Sequence, residues 1–165
     1  MSILNRVAES GLIQLDPATL VKDMKLSVVC LSDFLHEEPV LREKPFRQAI
    51  AAHDWRDYTG KYVALQINPE TLVPQWAAML LTSCLKPYAL RICLGDHTAA
   101  LNMAYESAIT KLKVEDYYKK NIIVKWCSDG SVPEWVYVRL MEVLQPHAKR
   151  IAYGESCSSV PLFKN

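Results

Sequence analysis

Two cysteines, Cys127 and Cys157, are the residues of this chain whose type and setting point most directly to chemistry. Each is followed by serine, in Cys127-Ser128 and Cys157-Ser158-Ser159, and each stands where an apolar run gives way to polar residues. As thiolates such residues are nucleophiles, redox partners or soft metal ligands. Glu155 lies just before Cys157, and Asp96-His97 follow another apolar run, Leu90–Leu94. Two thiolates with one or two of Glu155, Asp96 and His97 make a donor set suited to zinc or iron. The same groups would serve thiol redox chemistry, or a cysteine nucleophile with His97 as its base, His36 behind it and Glu155 as the alternative. No Cys-x-x-Cys, G-x-G-x-x-G, G-x-x-x-x-G-K or G-x-S-x-G occurs, so nucleotide binding of the usual kinds and a serine nucleophile elbow are not expected.

Those residues need a scaffold. Apolar runs bounded by turn signals predict strands near Leu26–Leu31, Tyr62–Ile67, Leu90–Leu94, Ile122–Trp126 and Arg150–Tyr153. Helical spacing links Phe46, Ala49, Ile50 and His53, and again Leu101, Ala104, Ala108 and Leu112, while Trp76–Leu85 and Trp135–Leu144 read as largely buried helices. Alternating strands and helices predict an α/β fold with a mostly parallel five-stranded sheet and helices on its faces. In such sheets ligands gather at the carboxyl ends of the strands. Asp33, Asp96 and Glu155 are expected to end the odd strands there, and Asn68 and Cys127 the even ones. His53 and His147 precede strands and belong to the opposite edge. Cys30, Cys84 and Cys93 sit inside apolar segments and read as packing.

The chain also resembles itself. At a shift of about 59 residues, Leu41–Gly95 aligns with Ala100–Gly154 without a gap, and about fifteen of roughly fifty-five positions are identical. The identities include Asp57-Tyr58/Asp116-Tyr117, Val73-Pro74/Val132-Pro133, Trp76/Trp135, Arg91-Ile92/Arg150-Ile151 and Gly95/Gly154. With Cys30–Asp33 set over Cys93–Asp96, this predicts two degenerate β-α-β-α repeats, near 26–89 and 90–155, within one domain spanning 1–165. Ser131-Val-Pro-Glu134 has the form of a capping box opening the last helix.

Composition narrows the partners. A net charge of +1 and scattered lysines and arginines predict no nucleic-acid face. Arg6 and Glu9 interrupt the apolar core that a signal peptide needs, and the longest apolar run, Trp76–Leu81, is far too short to cross a bilayer. Five cysteines, odd in number and widely spaced, fit reduced thiols, so a soluble cytoplasmic protein is expected. Trp55, Tyr58, Phe163 and the segment Ile3–Leu15 stand outside the repeat core as apolar content free for association. An adaptor or structural homo-oligomer is therefore the alternative to a thiol site.

The segments Asn5–Leu12, His53-Asp-Trp55, Trp126-Cys-Ser128 and Gly154–Leu162 resemble the bacterial family catalogued as domain of unknown function 2480, nearly end to end. The family's pattern has Gly-Cys-Ser at Trp126–Ser128, and near the end it differs from this chain at Ser156, Ser159 and Phe163. Both cysteines match it residue by residue. The resemblance implies a cytoplasmic protein, accessory to iron–sulfur metabolism, and carries no reaction with it.

Overall fold

The computed structural model describes residues 11–35, 40–127 and 130–165. His36, Ser128, Asp129 and the segment before Gly11 lie outside them. Seven strands are present among the described residues: β1 (Leu12–Leu15), β2 (Lys25–Cys30), β3 (Lys61–Gln66), β4 (Arg91–Leu94), β5 (Asn121–Val124), β6 (Arg150–Glu155) and β7 (Ser158–Lys164). Four α-helices join them: α1 (Glu43–Ala52), α2 (Gln75–Leu85), α3 (His97–Thr110) and α4 (Glu134–Leu144). All five predicted strands form, in a mixed α/β fold.

The expected five-stranded sheet does not form. The strands divide into a three-stranded parallel sheet, β2-β3-β4, and a four-stranded mixed sheet, β1-β5-β6-β7. In the second, β7 runs antiparallel to β6. The chain accordingly makes two compact units, residues 23–104 and residues 1–22 with 105–165. The opening strand of the second sheet is β1, not Leu90–Leu94, which instead closes the first sheet against β3. Local periodicity cannot reveal this, because pairing partners are chosen by long-range edge matching.

Within the 23–104 unit, Val29, Val63 and Leu65 of the sheet pack on Phe46 and Ile50 of α1 and on Ala77, Leu81 and Leu85 of α2. Those three α2 residues fall four apart, so they line one helix face. Trp55 and Tyr58 belong to this core: Trp55 is buried, donates Nε1–H to the Ile50 carbonyl at 2.9 Å and stacks on Phe34 at 5.5 Å. They are not spare surface for association. In the other unit the buried residues include Tyr105 and Ile109 of α3, Ile122 and Val124 of β5, Ile151 of β6, and Val136, Leu140 and Leu144 of α4.

Structural features recur at the 59-residue spacing. The one-turn 3-10 segments Trp55–Tyr58 and Val114–Tyr117 are so related, as are α2 and α4. Gly60 and Lys119 both take left-handed backbone, with φ of 72° and 55°. Each donates its amide to a carbonyl at the same offset, Tyr88 at 3.0 Å and His147 at 2.8 Å. In β2-β3 Leu26 is opposite Tyr62, and in β1-β5 Leu12 is opposite Asn121, so β1 holds in the second sheet the place that β2 holds in the first. The capping box does not form: α4 starts at Glu134 with Pro133 as its N-cap and no side-chain cap, and Pro74 does the same for α2.

Candidate functional site

Cys127 lies just beyond the carboxyl end of β5, where the main chain has left the sheet. Its half-buried thiol donates to Asp16 Oδ1 at 3.8 Å. Asp16 is placed by β1: it N-caps the 3-10 turn Pro17–Leu20, accepting from the Ala18 amide at 3.1 Å, and its other oxygen stands 3.9 Å from Lys125 Nζ. The Cys127 amide donates to the Tyr137 hydroxyl of α4 at 3.2 Å. Burial pushes the Tyr137 phenol up to about 12, opposed by that amide bond, and the ring packs edge-on against Tyr153 with centroids 5.6 Å apart. The thiol therefore has a carboxylate acceptor whose other oxygen a lysine ammonium approaches, and the amide of the same residue meets a phenol held neutral. This group can hold a proton or a polar ligand at the sulfur.

The other expected residues are distributed. Glu155, exposed, pairs with Ser158 to close the β6–β7 hairpin, and Cys157 is exposed at its two-residue tip. Gly154, with φ of 118°, keeps this hairpin tight: a Cβ there would lie 2.8 Å from the Ser158 carbonyl oxygen. Ser156 accepts from Gln14 Nε2 at 3.0 Å, which draws the tip toward β1. Cys127 and the Cys157 loop are thus each tied to a residue in or just past β1, Asp16 and Gln14. Asp96 and His97 belong to the 23–104 unit, exposed where α3 begins, and Asp96 accepts from the Ala99 amide at 3.1 Å. Among the described residues no group of three His, Cys, Asp or Glu side chains converges as metal ligands would. His36 lies outside them.

Sequence reasoning missed Asp16, Lys125 and Tyr137. The available signal was Leu12-Ile-Gln-Leu15 followed by Asp16-Pro17, a short apolar run ending in a turn-starting pair. Interrupted by Gln14, this run is neither a continuous apolar segment nor a strict alternation.

The 23–104 unit presents a different feature at the equivalent place. Cys30 donates to Gln66 Oε1 at 3.7 Å where Asp16 and Lys125 meet in the other unit. At the Tyr137 position stands Ala78, and at the Tyr153 position Leu94. Without the phenol rings, a groove of about 680 Å³ opens along β4 and α2, walled by Ile67, Val73, Ala78, Met79, Ile92 and Leu94. Met79 is 71%, Leu94 61% and Leu90 56% exposed, an apolar concentration at one sheet edge. β6 carries β7 on its outer side, whereas β4 carries no strand there among the described residues.

Residues 1–165, the whole chain, match the family described as protein of unknown function (DUF2480), and the chain belongs to that family. No curated protein and no solved structure matches it. Among the described residues no helix is long and apolar enough to cross a membrane.

Proposed function

We propose that this member of the family works by association, taking an extended strand of another polypeptide onto the outer edge of β4. One observation carries the reading: β6 is closed by an antiparallel strand, and β4, at the equivalent place, has no strand on its outer edge among the described residues and lies beside an apolar groove. An open edge offers a row of backbone donors and acceptors, and a neighbouring groove selects side chains on alternate positions of the incoming strand. Exposed Leu90, Leu94 and Met79 would lose contact with water on docking, at roughly 25 cal/mol per Å² of apolar surface. The test is backbone NMR of the purified protein, diluted in steps and then titrated with peptides alternating apolar and polar residues. Shifts and amide protection confined to Arg91–Leu94 and the facing turn of α2 are expected. If β4 responds to neither concentration nor peptide, the reading fails.

A second reading, a thiol redox or metal site using Cys127 and Cys157 with Glu155 nearby, is favoured by the two tethers to Gln14 and Asp16. Bound zinc or iron near one per chain, lost in Cys127→Ser, would support its metal form. Its redox form requires that mild disulfide oxidant remove two thiols per chain and that Cys127→Ser abolish this. Metal-free protein whose thiols do not pair would remove it.

A further inference from the structure

We infer that the unit containing β5 and β6 binds a small organic anion with an apolar body, in a pocket on the sheet face that carries Asn121 and Arg150. The strand register builds that face row by row. Leu12, Asn121 and Arg150 are neighbours across β1, β5 and β6, and Lys164 of β7 stands opposite Arg150. Side chains alternate along a strand, so the next row on the same face is Gln14, Ile123 and Ala152, and beyond it Gly154 stands opposite Ser159. Among these rows lies a cavity of about 270 Å³. Its floor is apolar: Ile123 and Ala152 are 6% and 4% exposed, and Leu12 lines it with them. Asn121 and Arg150 stand at one end. Ser156 and Ser159 stand at the other, about 13 Å along β6 by strand rise.

Charge selects the ligand. The Lys149 and Arg150 amides both donate to the Lys120 carbonyl, at 2.9 and 3.3 Å, which brings these three residues together at the Arg150 end. Lys120, Lys149, Arg150 and Lys164 are exposed, and none has an ion-pair partner among the described residues. Among the described residues no carboxylate lines the cavity. Grouped cations of this kind raise the local concentration of anions, and a guanidinium takes a carboxylate or a phosphate through two parallel N–H···O bonds. The floor then receives hydrocarbon. The volume lies just under the roughly 300–1,000 Å³ of pockets for larger ligands, which keeps that hydrocarbon short. The other unit shows what makes the space. Buried Tyr62 stands opposite Arg91 where Asn121 stands opposite Arg150, and exposed Leu90 holds the place of Lys149. A short amide in place of the ring leaves room on the face, and the lysines charge its end.

Backbone NMR of the 165-residue protein tests this, with hexanoate, hexyl phosphate, acetate and hexylammonium as separate probes. Hexanoate or hexyl phosphate should shift the amides of Asn121–Ile123, Arg150–Ala152 and Ser159 saturably, and the tighter of the two identifies the head group. Acetate should bind roughly tenfold or more weakly than hexanoate, because it brings too little hydrocarbon to the floor. Hexylammonium should leave these amides unmoved. Arg150→Gln, at an exposed position, should weaken binding of the hexyl anion roughly tenfold without lowering Tm. Lys164→Gln should weaken it less, and that smaller loss should shrink in added salt. Four results overturn the inference: amides that ignore both hexyl anions, acetate binding as tightly as hexanoate, hexylammonium moving the same amides, or Arg150→Gln binding the hexyl anion as the parent does.

Discussion

The two units solve one packing problem twice and finish it differently. In each, three parallel strands carry a helix whose buried residues fall four apart, Ala77-Leu81-Leu85 and Val136-Leu140-Leu144. In the unit containing β5 and β6, the outer edge is covered by β7, and Tyr137 and Tyr153 occupy the space above the sheet end, with Cys127 held against them. In the 23–104 unit, Ala78 and Leu94 leave that space empty and β4 ends the sheet. The matched scaffolds thus differ at one place: a thiol, a carboxylate and a phenol meet at the end of the β7-bearing sheet, and an apolar groove stands at the matching end of β4. Small side chains at two positions are enough to turn a filled end into a groove, because a tyrosine ring covers area that alanine and leucine cannot.

If the scaffolds are equivalent, matched core truncations should cost alike. Leu81→Ala and Leu140→Ala, both at fully buried positions, should each destabilise by about 2–5 kcal/mol. Chemical denaturation of the two variants checks this, and a difference much beyond that spread would show that the two cores are not comparably packed. Tyr137→Phe probes the closed end alone. Loss of the bond from the Cys127 amide should cost about 0.5–1.5 kcal/mol. The phenol is held above its ordinary value of 10, so its contribution is fully present below that pH and is lost as pH rises toward about 12. Denaturation curves between pH 9 and 12 should therefore fall less steeply in Tyr137→Phe than in the parent (the pH range brackets roughly the free and shifted phenol).

Smaller substitutions refine the match. Lys119 adopts the left-handed backbone that Gly60 supplies in the other unit, so Lys119→Gly should stabilise by about 0.5–1 kcal/mol and Gly60→Ala should destabilise by about 1–2 kcal/mol. Opposite signs in thermal melts are the expected result. The smallest effect is expected at the 3-10 turns. Asp54 caps Trp55–Tyr58 and is held at about 2 by its bonds to the Arg56 side chain and amide, whereas Lys113 at the matching place provides no side-chain cap. The exposed Asp54 contribution should be present above the ordinary carboxylate range and fade as pH falls toward 2, and Asp54→Ala should remove that dependence. Lys113→Asp should raise stability slightly, measured against the parent at neutral pH.

Much of the scaffold was legible in the residues. The strands at β2 through β6 announce themselves as apolar runs, and the helices as residues three and four apart, because burial of one face demands those periods. The 59-residue shift located α2 against α4 and Gly95 against Gly154 before any coordinates, since matched core positions leave matched residue types. Cys127 stands out in the sequence as a thiol at a polar strand end, but its partners Asp16 and Tyr137 are not legible there. Trp55 and Tyr58, read as spare aromatic surface, belong to the core: Trp55 is buried and Tyr58 packs against the same cluster. Asp96 and His97 were grouped with Cys127 on the assumption of one continuous sheet, and the division into two sheets removes the basis for that grouping.

By itself, then, the amino-acid order determined which segments become strands and helices and which faces they bury, because those are local consequences of side-chain period and turn chemistry. Only the tertiary structure decided that β1 pairs with β5, that Leu90–Leu94 ends one sheet instead of opening another, and that Asp16 meets Cys127 across more than a hundred residues of chain. Such choices compare whole edges against one another, and the free energy separating the alternatives resides in contacts between segments that no local window contains.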